Sequence, residues 1–221
     1  MRRTKAEAEQ TREALLDAAA KVFMERGVSR ATLDDIARSA GLTRGAVYWH
    51  FRDKLDIFLA LEERALLPNE AVAAALAARL KADPTLDPIE ELKATVASTF
   101  QRLERDTERH RLLTILLLRC EFVGEMLPAL ERQQRADAAL REELAEIFRL
   151  AQTQARLAPG WAPVIAARAL FMILNGMIES WLRAPTEVRL VSDGMPLVTT
   201  FLDSVSMPVP TAKRRMASVI R

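Results

Sequence analysis

The chain is short of nearly everything that catalysis, disulfide bonding or sheet formation requires. It has one cysteine, Cys120, so no internal disulfide is available. A lone thiol fits a reducing cytoplasm. Flanked by Arg119 and Glu121 and without a resolving partner, it reads as a small buried side chain rather than a redox sensor. The two histidines, His50 and His110, lie far apart with no Cys or His at metal-ligand spacing. His110, inside TERHR, reads as solvated. Seven glycines form no phosphate-binding loop. Aromatics are 5% of the chain and β-branched runs are scarce, which argues against strands. No apolar run approaches the ~18 residues that suggest a membrane span, and no apolar stretch follows MRRTKAEAEQ as in a secretory signal. The reading is therefore not an enzyme and not a membrane protein, with no catalytic residue, cofactor or metal assigned.

What is present favours helix. The 221 residues are half hydrophobic, and Ala, Leu, Glu and Arg, all strong helix formers, dominate. The expected fold is all-α, with one or two domains. Net charge is only +2, but it is unevenly spread. Residues 1–54 hold 11 Lys/Arg against 8 Asp/Glu, residues 55–206 hold 17 against 22, and residues 207–221 hold 4 against none. A basic head on an acidic body suits a protein that presents one end to DNA. Ordinary scatter gives similar numbers, so charge does not decide the matter.

Residues 32–54, TLDDIARSAGLTRGAVYWHFRDK, do decide it. Thr32 and Asp35 have the spacing of a capping box at a helix start. Leu33, Ile36 and Ala37 give that helix an inward face. Gly41 follows where a helix end needs left-handed φ. Thr43 can cap a second helix over 44–50, small at its start (Gly45, Ala46) and led by Arg44. Val47 and Phe51, at i and i+4, belong to the core. Two short helices joined by a tight turn, the second with a basic leading end, form the helix-turn-helix that places a recognition helix in the major groove.

The same residues resemble the signature of the tetracycline-repressor (TetR) family of transcriptional regulators. Thr32, Ile36, Ala37, Ala40, Gly41, Leu42, Thr43, Gly45, Val47, Tyr48, His50, Phe51, Asp53 and Lys54 fit it without departure. RRTKAEAEQTREALLDAA, YWHFRDK, RCEF, ERQQR and LFMILNGMIESWL resemble the multidrug-efflux repressors (AcrR/TtgR-type) over about the first 205 residues. The resemblance implies a DNA-binding head at 1–54, a ligand-binding and dimerisation domain at 55–206 and a loose basic tail at 207–221. About nine helices are expected, over 8–26, the two of the motif, 53–68 (with 71–80 either extending it or forming another turn or two of helix), 88–105, 107–122, 129–157, 162–182 and 192–205. Prolines mark a loop at 82–88.

On the head, Arg44 reads as a base contact to guanine. Gly45 is part of the close-approach face. Thr32, Thr43, Tyr48, Trp49, His50 and Lys54 resemble phosphate contacts, and Arg2, Arg3 and Lys5 could act as a basic arm. In the body, Phe171, Leu174, Asn175 and Ile178 share one helical face, and Thr95 and Thr99 put hydroxyls on another. Plain bundle packing, with Asn175 bonded to a backbone carbonyl and each Thr back-bonding within its helix, explains such faces better than a pocket does. The resemblance places a ligand site on Thr95, Thr99, Leu113, Leu117, Phe171, Leu174, Asn175 and Ile178, with Asn175 as its polar anchor. It also implies a homodimer built on the last two body helices, with Trp181, Leu197, Val198 and Phe201 as packing residues. The expected function is a cytoplasmic repressor that binds palindromic double-stranded operator DNA and is released by a hydrophobic small molecule, controlling a multidrug efflux operon. The alternatives are a regulator of lipid or acyl-thioester metabolism and, more distantly, a DNA binder without effector.

Overall fold

The computed structural model describes residues 5–66 and 72–208. The elements are α1 (Lys5–Arg26), α2 (Leu33–Ser39), α3 (Arg44–His50), α4 (Lys54–Leu66), α5 (Val72–Ala82), α6 (Pro88–Arg105), α7 (Thr107–Leu118), a 3-10 turn (Gly124–Met126), α8 (Leu127–Thr153), α9 (Pro163–Arg183) and α10 (Met195–Ser204). A π turn, Leu190–Gly194, leads into α10. Among the described residues the extended pairing is one isolated bridge, Leu157 with Ser206.

Short polar side chains set the boundaries. Asp87 caps α6 by accepting from the N–H groups of Ile89 and Glu90, and Pro88 fits the first helical position because its missing N–H is not needed there. Asp106 ends α6 and starts α7, accepting from the Arg109 N–H at 2.9 Å. Of the segment expected over 71–80, the described part is helical. Val72–Ala82 forms α5, burying Leu76, Ala77 and Leu80. α7 stops at Leu118, short of the expected 122, and Phe122 packs edge-on against Phe58 at 6.3 Å. Arg2, Arg3, the end of α4 near Pro68 and residues 209–221 of the tail lie outside the described residues.

Two apolar cores organise the chain. The first joins Leu15, Phe23, Ile36, Val47, Phe51 and Phe58 of the head to Leu112, Ile115 and Leu116 of α7. The second fills the body with Leu92, Phe100, Phe148, Leu170 and Trp181, and Leu113, Leu117 and Leu118 of α7 pack against it. So α7 is apolar on two faces because it lies between two cores. Each fully buried Leu, Ile or Phe contributes ~1.5–3 kcal/mol. The leucines of α7 thus join head to body, as does α8, with Ala129 in the first core and Leu144 and Phe148 in the second. α9 is long and apolar enough to cross a membrane by composition, with a mean hydropathy of 1.3, which the sequence reading missed. It carries Arg168 and Glu179 and packs along α8, so it is a bundle helix.

Candidate nucleic-acid interface

The start of α2 is locked by a reciprocal cap. Thr32 Oγ1 accepts from the Asp35 N–H at 3.1 Å, and Asp35 Oδ2 accepts from the Thr32 N–H at 3.2 Å and its hydroxyl at 2.7 Å. Arg26 and Arg38 close on the other carboxylate oxygen at 2.8 and 2.5 Å. The Thr32 hydroxyl above all, with Arg26 and Arg38 behind it, holds the Asp35 carboxyl below the usual carboxylate range, against the opposing effect of burial. Gly41, at φ +67°, makes the turn that a side chain would strain. Thr43 then caps α3, accepting from the Ala46 N–H at 3.3 Å.

This geometry leaves one face of α3 outward. Val47 and Phe51 turn into the core as expected. Thr43, Arg44, Gly45, Tyr48 and Trp49 are exposed, as is Thr32 on α2. Trp49 is 70% exposed, a large apolar ring in water that asks for a partner. His50 is half-buried, with Trp49 edge-on at 4.6 Å. A Cβ on Gly45 would meet Thr43 Oγ1 at an ordinary 3.8 Å, so the head itself does not require glycine there. Arg44 donates to Asp34 Oδ2 at 3.2 Å and to the Tyr48 hydroxyl at 3.0 Å. Its guanidinium lies 5.4 Å from the Tyr48 ring centre. The Tyr48 hydroxyl first, then the Asp34 carboxylate, raise its pKa further. The sequence reading missed Asp34, because an ion pair ten residues apart becomes visible only when the turn closes.

Lys54 differs from its expected role. Its side chain is only 12% exposed. The ammonium donates to the carbonyls of Ser29 at 3.1 Å and Ala31 at 3.4 Å, and pairs with Glu125 at 3.0 Å. It is spent inside the protein rather than offered to a phosphate.

In the body, Thr95 and Thr99 donate back to the carbonyls of Glu91 and Thr95, at 2.8 and 2.9 Å. That is the packing alternative for both hydroxyls. Leu113, Leu117, Phe171, Leu174 and Ile178 gather in or against one apolar core, and the Arg141 guanidinium lies 4.9 Å from the Phe171 ring centre. Asn175 does not join them. It is exposed on the outer side of α9, so its amide needs no buried partner and the anchor argument fails. Thr95 also borders an open cleft of about 440 Å³ between α5 and α6, lined by Leu76, Arg79, Glu91, Ser98 and Arg102 among others.

The expected dimer residues divide. Trp181 and Val198 are buried within the protomer, Trp181 edge-on to His110 at 4.6 Å. Leu197 is 54% exposed, and Phe201 is half-buried on Trp161. Ile165 and Met172 of α9 are also exposed, and their i, i+7 spacing was a readable signal. His110 is not solvated as expected, and its burial lowers its pKa. Cys120 is half-buried with its thiol pushed up to about 11 by burial, which suits packing rather than redox sensing.

The profile of bacterial regulatory proteins of the tetR family matches residues 15–61. That of the MAATS-type transcriptional repressor C-terminal region matches residues 87–207. The HTH-type transcriptional repressor BepR of Brucella suis biovar 1 (strain 1330) is 36% identical over 94% of this chain and 98% of its own. NalD, the secondary repressor of the MexAB-OprM multidrug efflux pump in Pseudomonas aeruginosa, is 35% identical over 93% of this chain and 100% of its own, with a TM-score of 0.80. SmeT, repressor of the Stenotrophomonas maltophilia multidrug efflux pump SmeDEF, is similar in its complex with triclosan. There the identity is 31%, the coverage 92% and 96%, and the TM-score 0.77.

Proposed function

Because the chain belongs to the tetR family of bacterial regulatory proteins, we propose that it is a homodimeric repressor of a multidrug efflux operon, released by a hydrophobic effector. The observation that carries the DNA half is the outward face of α3, with Arg44, Tyr48 and Trp49 exposed behind a locked α2 cap. Arg44 is the base-reading residue, and Gly45 lets the helix start approach the groove. Thr32, Thr43, Tyr48, Trp49 and His50 hold the phosphates on either side. Two copies are needed to read a palindrome with half-sites about one helical turn apart. Exposed Ile165 and Met172 of α9 and Leu197 of α10, with Phe201 beside them, support a second copy on that face.

Leucines, not polar groups, are what α7 contributes to the core that holds Phe171 and that Leu174 and Ile178 pack against. That favours an apolar effector with few polar atoms, and SmeT bound to triclosan is the relative that points the same way. An effector seated between α6, α7, α8 and α9 acts on α7, whose other face is part of the head core. It releases DNA only through its differential affinity for the two states.

The test is an anisotropy titration of a duplex carrying the DNA upstream of this gene, with triclosan and other hydrophobic antimicrobials added to the complex. A micromolar compound should weaken the complex by at least about tenfold, ~1.4 kcal/mol of coupling. A complex indifferent to the whole panel contradicts the effector half.

A further inference from the structure

Arg44 is not a free cation waiting for DNA. Asp34 reaches across the turn from α2 and holds Nη1 at 3.2 Å, while the Tyr48 hydroxyl holds Nη2 at 3.0 Å and the Tyr48 ring lies against the guanidinium. Two of the five N–H groups are thus engaged, and the side chain remains 60% exposed. The first turn of α2 carries two carboxylates, and they divide the work. Asp35 is buried and committed to Thr32, Arg26 and Arg38. Asp34 is 52% exposed, and its carboxylate turns to Arg44. An acidic side chain on a surface that faces phosphates weakens binding to every sequence. Its presence there calls for a compensating role, and the ion pair supplies one.

We propose that Asp34 is a positioning residue for sequence discrimination: with Tyr48 it fixes the Arg44 guanidinium in the orientation that meets a base edge, at the expense of general affinity. A long Arg side chain samples many rotamers, and one tethered on two sides has less freedom to lose when it contacts a base. The tether also favours one orientation of the planar fork, which a bidentate contact requires.

This rests on the reading of α3 as the DNA-contacting helix, and the experiment separates the two. Duplexes are selected from a randomised library by the wild-type protein. One selected and one scrambled duplex are then titrated with wild type, Asp34→Asn, Arg44→Ala and the double variant. Asp34→Asn should tighten binding to the scrambled duplex roughly two- to threefold, because one repelling charge is gone. It should also lower the selected-to-scrambled ratio roughly two- to fivefold, the range an exposed ion pair covers. In the Arg44→Ala background Asp34→Asn should leave that ratio unchanged. An Asp34→Asn protein that tightens on both duplexes equally, with its ratio intact, overturns the proposal while leaving the α3 reading in place. If Arg44→Ala leaves the ratio at the wild-type value, the base contact itself is wrong and the role of Asp34 falls with it.

Discussion

Lys54 ties three segments with one ammonium: the Ser29 and Ala31 carbonyls after α1, its own helix α4, and Glu125 in the 3-10 turn before α8. A nearly buried cation with three partners is expensive to remove, since the carbonyls and the carboxylate lose their donor together. Lys54→Met should therefore lower stability by about 1–3 kcal/mol, read as a fall in melting temperature. The salt dependence of DNA binding should stay at the wild-type slope, because no phosphate contact is lost. A slope reduced by about one unit with unchanged melting would return Lys54 to the phosphates. At this scale the sequence is readable where partners are near in the chain. Thr32 and Asp35 form their capping box as expected, at a spacing of three residues. Partners distant in sequence, such as Lys54 with Glu125 or Arg44 with Asp34, depend on how the turns close.

Helix α9 shows what periodicity leaves open. The i, i+3, i+4, i+7 stripe of Phe171, Leu174, Asn175 and Ile178 is real, but its two edges look in different directions. Phe171 is buried, Leu174 and Ile178 are half-buried, and Asn175 is exposed beside Met172. A helix packed on one side by its own chain and proposed to meet a second copy on the other has two apolar faces, and spacing alone cannot say which residue belongs to which. The same ambiguity placed Trp181 and Val198 at the dimer face, although both fill the protomer core. The type and approximate ends of α2, α3, α6 and α9 were legible, because caps and prolines mark them. The start of α5 was legible only in part: Pro68 and Asn69 signal a break, but the stretch after them could equally extend α4 or form helix of its own. The face that remains exposed gives a direct prediction for Leu197. Leu197→Glu would bury an unpaired carboxylate in a dimer contact, at several kcal/mol. Sedimentation at micromolar concentration should show wild type near twice the 24.7 kDa chain mass and the variant near one chain mass. A wild-type monomer, or a variant as dimeric as wild type, contradicts this placing of the interface.

At the scale of the whole molecule, α7 is an element through which body and head share packing, with α8 beside it. Leu112, Ile115 and Leu116 belong to the head core, while Leu113, Leu117 and Leu118 face the body. Arg64 of α4 adds an ion pair to Glu108 at the start of α7, at 2.6 Å. A ligand that changes the packing of one α7 face acts on a helix whose other face is the floor of the DNA-binding head. That arrangement would give the proposed effector a physical route to the spacing of the heads in the proposed dimer, in a protein whose family assignment rests on both of its halves. The central claim is that two α3 helices read one palindromic site. Protection of a library-selected duplex from nuclease cleavage tests it most directly, with wild type and Arg44→Ala compared on the same DNA. The account predicts a two-fold symmetric footprint with half-sites about 34–36 Å apart. Arg44→Ala should bind ~1–3 kcal/mol more weakly and lose preference at one base position in each half. Wild-type binding that shows no sequence preference, or an Arg44→Ala footprint identical to wild type in strength and sequence, would contradict it.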